Sequence, residues 1–305
     1  MHVLVTGAGG FVGRKLLAEL DSRGLETSGF DLEIDVADGT AVEATIARLR
    51  PDAVIHLAAI SSIAATLEDP AAAFRVNFLG THNVLAACRT HIPGCRVLFV
   101  GSGSVYGTAA PESPAFPETS PLRAESPYAR TKAAGDLLAR EYSARGLSVV
   151  RARPFNHTGA GRPDTFVESS FARQVAEIEA GLRPRVLEVG NLDSVRDFLH
   201  VDDVVDAYCR LIAPAVPDGA YNVASGQGLR IGDLLQRLLV KANLAGVVEI
   251  KVDRSRFRPT DRAVGDAAKL REATGWSPTH DIDSTLAELL ASWQVHLSAL
   301  DAPPA

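Results

Sequence analysis

Apolar residues in the first half of the chain gather in short runs, each followed by a turn and then by a stretch in which apolar positions recur every three or four residues. The first run, His2 to Thr6, leads through Gly7-Ala8-Gly9-Gly10-Phe11-Val12-Gly13 into a helical pattern carrying Leu16, Leu17 and Leu20. The alternation continues with a strand over Glu26 to Phe30, a helix from Ala41 to Arg50, and a strand over Ala53 to Leu57. A helix around Phe74 to Arg89, a strand over Arg96 to Gly101, a helix from Tyr128 to Ala144 and a strand over Ser148 to Ala152 complete the series. This order predicts an α/β chain: a Rossmann-type, doubly wound parallel sheet with both faces covered.

Past Pro154 the pattern loses its regularity, and Gly159, Gly161, Pro163, Gly181 and Pro184 break it into shorter pieces suited to a smaller C-terminal substrate-binding lobe. Asp233 to Leu244 and Asp283 to His296 have the apolar spacing of amphipathic helices, and the tail Ala302 to Ala305 reads as frayed. The predicted organisation is a dinucleotide-binding domain over residues 1–160, to which the chain returns near 196–225, and a mainly substrate-binding lobe over 161–305.

Composition narrows the function. A chain of 305 residues, 46% hydrophobic and 22% charged, can bury a large core, which excludes disorder as its main character. With 31 basic against 37 acidic residues the formal net charge is −6, which argues against nucleic acid or anionic lipid as a partner. Cys88, Cys95 and Cys209 form an odd set without metal-ligand spacing, and His157 and His200 lack a third ligand nearby in sequence, so neither disulfide nor metal is expected. No apolar run reaches spanning length and no signal segment precedes the first strand; the expectation is a cytoplasmic protein.

The candidate chemistry sits at the turns. Gly7-x-x-Gly10-x-x-Gly13 between a strand and a helix allows a tight turn, lets backbone amides approach a pyrophosphate, and permits close helix packing. Asp31 follows the second strand, where a carboxylate accepts from ribose hydroxyls and repels a 2′-phosphate; this favours NAD, while Arg14 keeps NADP open, and Asp35 is a second candidate near the adenine. Tyr128-x-x-x-Lys132 places a phenol and an ammonium one helical turn apart, an arrangement in which the cation lowers the phenol pKa and reaches a cofactor ribose. Ser102 and Ser104 both lie just after an apolar strand, and spacing does not choose between them; without a Gly-x-Ser-x-Gly elbow a serine hydrolase is disfavoured. His56 ends an apolar run and reads as a packed or cofactor-adjacent histidine rather than a catalyst.

Taken together, the residues resemble the extended short-chain dehydrogenase/reductase superfamily of sugar-nucleotide epimerases, dehydratases and reductases. The marks are the glycine loop, His56-Leu57-Ala58-Ala59, Asn77, Ser102, Tyr128-x-x-x-Lys132, Arg153-Pro154-x-Asn156, Arg196-Asp197-Phe198-x-x-Val201-x-Asp203, Tyr221-Asn222-Val223 and Gly275-Trp276-x-Pro278. Within it, the segments Ala152 to Gly159 and Val189 to Phe198 look most like the GDP-mannose branch, GDP-6-deoxy-D-mannose reductases in particular.

The resemblance implies catalysis by Ser102, Tyr128 and Lys132. It implies cofactor binding by Gly7, Gly9, Gly10, Phe11, Val12, Gly13, Asp31, Asp35, Val36, Leu57, Ala58, Ala59, Asn77, Tyr128, Lys132 and Pro154. A nucleotide-sugar substrate, GDP-linked, would meet Ser102, Gly103, Ser104, Asn156, Arg196, Arg258 and Asp261. The related 4,6-dehydratases follow the catalytic hydroxyl with an Asp-Glu pair, whereas Gly103-Ser104 stand here and offer neither acid nor base, so plain 4-ketoreduction with NADH or NADPH is the simplest chemistry. An NAD-dependent 4-epimerase would use the same Ser, Tyr and Lys, and a redox-inactive NAD-binding sensor or scaffold would need only the glycine loop. Relatives commonly pair through helices matching Phe74 to Arg89 and Tyr128 to Ala144, which implies a homodimer.

Overall fold

A computed structural model describes residues 1–253 and 261–300. Its first half alternates β1 (His2–Thr6), α1 (Phe11–Ser22), β2 (Glu26–Phe30), α2 (Gly39–Leu49), β3 (Ala53–His56), two short helices α3 (Ile63–Glu68) and α4 (Pro70–Phe74), α5 (Gly80–His91), β4 (Arg96–Val100), α6 (Pro127–Ala144) and β5 (Ser148–Pro154). Every residue of β3 and β4 is buried, the signature of parallel strands covered on both faces.

The segment expected as one helix around Phe74 to Arg89 is built in pieces. Asp69 caps α4 through Ala72 N–H and Pro70 occupies its first turn, a start signal that separates it from α3. A π-helical turn over Arg75–Leu79 then joins α4 to α5, and a wider turn of this kind re-aims a side chain, here Asn77.

The second half contributes β6 (Asn156–Thr158), α7 (Val167–Glu179), β7 (Val186–Val189), β8 (Val195–His200), α8 (Val201–Leu211), β9 (Gly219–Val223), β10 (Gly228–Arg230), α9 (Ile231–Lys241), β11 (Glu249–Val252), β12 (Arg262–Ala263), α10 (Ala268–Thr274) and α11 (Ile282–Leu300). The six-stranded sheet has the order β2-β1-β3-β4-β5-β9 and all its pairings are parallel. The chain therefore re-enters the sheet with β9, and its helix α8 packs on α1. Trp276, fully buried, donates its indole N–H to Asp203 O and joins the core cluster that contains β1 and β9 residues.

A separate apolar cluster unites α7, α9 and α11 through Phe171, Val175, Leu234, Leu238, Leu286 and Leu289. This is the smaller lobe, and β8 passes from it back to the sheet. Among the described residues no helix is long and apolar enough to cross a membrane. The Ala302 to Ala305 tail lies outside the described residues.

Candidate active site at the carboxyl edge of the sheet

The glycine loop is strapped to the next strand: Gly7 N–H and Ala8 N–H both donate to Phe30 O, at 2.9 and 3.1 Å. Gly7 has φ +72°, and a Cβ there would lie 2.8 Å from Ala58 N; one at Gly13 would lie 2.6 Å from Ala8 O and would also collide with Gly7 O. These positions admit no side chain. α1 begins after Gly10 with no side-chain cap, so its first amides are left for an anion. A Cβ on Gly9 would strike Asp31 Oδ2, which places that carboxylate against the loop at the end of β2. A cradle closed to side chains, uncapped amides and an adjacent carboxylate together fit a dinucleotide's pyrophosphate and adenosine ribose.

Other residues expected at the cofactor serve the loop walls. Asn77 is fully buried: it accepts from Ile60 N–H at 2.7 Å and donates to Ile60 O and Thr131 Oγ1, which braces the loop after β3 against α6. Leu57 and Ala58 hang from Thr6 through Leu57 N–H to Thr6 O and Ala58 N–H to Thr6 Oγ1, and Ala59 follows them in that loop. Val36 is buried and its carbonyl accepts from Asn83, while Asp35 turns its carboxylate onto Ala37 N–H. His56, bonded to Thr6 Oγ1 at 2.7 Å and Thr81 Oγ1 at 3.1 Å, is pushed down to about 3 by burial and the Lys132 charge; it is a neutral core brace.

The catalytic candidates converge beyond β4 and at the start of α6. Ser126 caps α6 by accepting Ala129 N–H, with Pro127 in its first turn, and this sets Tyr128 one turn from Lys132. Ser102 is buried, its Oγ accepts Ser104 N–H at 3.1 Å, and its hydroxyl lies near enough to the Tyr128 phenol to pull that phenol's pKa down. The Ser104 side chain is exposed. Burial thus sets Ser102 apart from Ser104, a distinction that spacing leaves open.

Lys132 Nζ donates to Val100 O at 2.8 Å, and burial pushes its pKa down to about 8. Burial holds the Tyr128 phenol above its ordinary value, while the nearby Ser102 hydroxyl and the Arg162 charge pull it down. Burial outweighs these two influences, and Arg162 is a cation at the site that sequence reasoning missed because it lies in a loop 34 positions downstream of Tyr128.

On the substrate side, a Cβ at Gly103 would meet the Phe155 ring at 2.9 Å, so no acidic side chain fits there unless Phe155 moves. Pro154 ends β5 opposite Val223, and Asn156 begins β6 opposite Phe198. Arg196 does not pair with Asp197 or Asp203; its Nη2 meets Asp261 Oδ1 at 2.7 Å, linking two residues expected to bind substrate. Asp197 is instead consumed by Ser225, Gly226 and Gly265 N–H groups, and Asp203 by Thr279 and His280. Arg258 lies outside the described residues.

The fold also gives His200 the neighbours it lacked in sequence: ligand atoms of His200, Asp202 and His280 lie within 4.8 Å of one another. Both His200 ring nitrogens are already engaged, Nε2 with Glu288 at 2.9 Å and Nδ1 with Asp202 N–H at 3.1 Å, so the cluster acts as a joint between α8 and α11.

Removal of one hydroxyl separates the two serines. Ser102→Ala is expected to lower kcat by about thirtyfold, the scale of one oriented hydrogen bond to a proton donor, and Ser104→Ala by less than about threefold. Steady-state turnover of the two variants checks this.

The GDP-mannose 4,6 dehydratase family model matches residues 30–289. The chain is 37% identical over 299 residues to the GDP-6-deoxy-D-mannose reductase of Pseudomonas aeruginosa, covering 96% of this chain and 97% of that protein. The solved structure of RMD from Pseudomonas aeruginosa complexed with NADPH superposes with a TM-score of 0.86 at 36% identity, over 97% of this chain and 99% of that one. The UDP-glucose 4-epimerase of Thermus thermophilus in complex with NAD gives a TM-score of 0.85 at 29% identity, over 96% and 99%.

Proposed function

This chain belongs to the GDP-mannose 4,6 dehydratase family, and on that premise we propose that it reduces the 4-keto group of a GDP-linked 6-deoxyhexose, GDP-4-keto-6-deoxy-mannose, using NADH or NADPH. The observation that carries the reading is the buried Ser102 close to the Tyr128 phenol, beside a Gly103 that Phe155 closes to any acid or base. A proton donor for a carbonyl oxygen is in place, and nothing at Gly103 serves dehydration. The reductase of Pseudomonas aeruginosa, similar over nearly the whole chain, supports the substrate.

In this reading Gly7, Gly9, Gly10 and Gly13 with the first amides of α1 hold the cofactor pyrophosphate, Asp31 faces its adenosine ribose, and Lys132 reaches the nicotinamide ribose from its anchor on Val100 O. When bound, the reduced nicotinamide supplies the hydride that converts the ketone to an alcohol. Tyr128, kept protonated by burial, donates its phenolic proton to the carbonyl oxygen, and the nearby Ser102 hydroxyl and the Arg162 charge then stabilise the phenolate left behind. Arg196, oriented by Asp261, and Asn156 stand where the sugar nucleotide enters.

Asp31 leads us to assign NADH as the preferred cofactor. Asp31→Ser is expected to shift the ratio of kcat/KM for NADPH over NADH upward by about tenfold, because it removes the carboxylate that repels a 2′-phosphate. Equal ratios in both proteins would remove this assignment.

The reading also includes pairing of two copies, supported by exposed Phe74, Leu79 and Leu137 on the α4 to α5 segment and α6, and a cytoplasmic setting, supported by three free buried cysteines. The experiment that tests the function is consumption of reduced cofactor by the purified protein on addition of GDP-4-keto-6-deoxy-mannose. Stoichiometric consumption is expected; none with either cofactor overturns the proposal.

A further inference from the structure

The turn after β6, Gly159-Ala160-Gly161-Arg162, folds back over the start of α1. The Arg162 guanidinium lies 3.4 Å from the Phe166 ring centroid and 5.3 Å from that of Phe11, the residue directly after the glycine loop's Gly10. On the other side His157 stacks parallel to Phe11, with centroids 6.5 Å apart. The Arg162 side chain is only 11% exposed; its Nε faces Glu168 Oε1 at 3.3 Å, and among the described residues neither Nη group makes a hydrogen bond.

The smaller lobe holds this arginine in place. Glu288 Oε1 accepts Ala160 N–H at 3.0 Å, and Ser169 Oγ donates to Arg162 O at 2.6 Å while accepting Trp293 Nε1–H at 2.9 Å. Two residues of α11 thus set the loop from both sides, one directly and one through Ser169. The charge reaches into the catalytic cleft, where it acts on both Tyr128 and His157.

The guanidinium has one carboxylate contact through Nε, and its two Nη groups make no hydrogen bond to the protein among the described residues and stay open to an incoming ligand. The guanidinium sits over the ring of Phe11, the first residue of the uncapped α1, whose amides also call for an anion, and a planar fork matches phosphate oxygens in pairs. We propose that Arg162 is a diphosphate-binding residue: its two Nη groups close over a diphosphate seated beside the glycine loop, with Phe11 and Phe166 fixing the plane of the fork and Glu168 its orientation. The dinucleotide cofactor and the sugar nucleotide both carry this group, and the sugar-nucleotide source rests on the function proposed above.

The test is binding rather than turnover. Unliganded protein is titrated with NADPH and NADH by nicotinamide fluorescence and with GDP by calorimetry, for Arg162→Gln, Arg162→Lys and the double variant Arg162→Gln, Glu168→Gln, which removes the carboxylate left without its cation. Arg162→Gln is expected to weaken binding of at least one probe about tenfold, with Arg162→Lys restoring only part because an ammonium lacks the fork. Loss confined to the dinucleotides assigns the diphosphate to the cofactor, and loss confined to GDP assigns it to the sugar nucleotide. If the double variant, folded by thermal melting, binds all three probes within about twofold of the parent protein, the proposal is overturned and Arg162 with Glu168 is a structural pair only. The dinucleotide titrations use no sugar substrate, so failure of the reductase reading leaves them standing.

Discussion

Replacing Tyr128 by Phe lowers kcat by about a thousandfold and leaves the affinity for reduced dinucleotide within about twofold of the parent. The substitution deletes one hydroxyl and keeps the ring, so the start of α6 and its Ser126 cap are preserved. What disappears is the phenolic hydroxyl near Ser102 that is able to hand a proton to a carbonyl oxygen. Lys132 does not replace it in this account, since its ammonium is anchored on Val100 O at 2.8 Å and faces the nicotinamide ribose. The loss therefore falls on the chemical step, and single-turnover kinetics with saturating substrate separates it from binding. A variant that turned over at the parental rate would remove Tyr128 from the mechanism.

Gly13→Ala is expected to weaken dinucleotide binding by more than about a hundredfold, close to 2.8 kcal/mol. Its added methyl would meet Gly7 O and Ala8 O, both backbone atoms of the loop that Phe30 O holds at 2.9 and 3.1 Å. Backbone bonded this way yields only by moving the loop away from α1, and with it the amides that receive the pyrophosphate. Melting temperature should fall as well, because β1 and α1 share a core with Leu16, Leu20 and Val5. Gly94→Ala is the control: a Cβ there meets nothing within 4 Å, and dinucleotide titration should give the parental affinity.

The sheet is legible in the sequence because its strands are short apolar runs closed by turn residues, and burial on both faces leaves such runs little alternative. The same applies to the glycine loop, where steric need dictates the residue. Legibility ends where contacts depend on distant segments. The breaks between α3, α4 and α5 follow from one cap, one proline and a π turn, which apolar spacing does not register. Asn77 carries bonds to Ile60 and Thr131 that apolar spacing does not register. Ser102 separates from Ser104 only once burial is known, and Arg162 and His280 come to their partners through folding of the smaller lobe. The one signal for Arg162 is the Gly159 and Gly161 pair before it, whose φ values of +152° and +82° let the loop turn back.

The central claim, reduction at C4 by transfer from the cofactor with Tyr128 as proton donor, is tested most directly with reduced cofactor deuterated at the transferring position and GDP-4-keto-6-deoxy-mannose as substrate. The account predicts a GDP-6-deoxyhexose carrying one deuterium, located at C4 by NMR, and no such product with Tyr128→Phe on the same timescale. Unlabelled product, or a protein that leaves this ketone untouched while interconverting the C4 epimers of an ordinary sugar nucleotide, would contradict it.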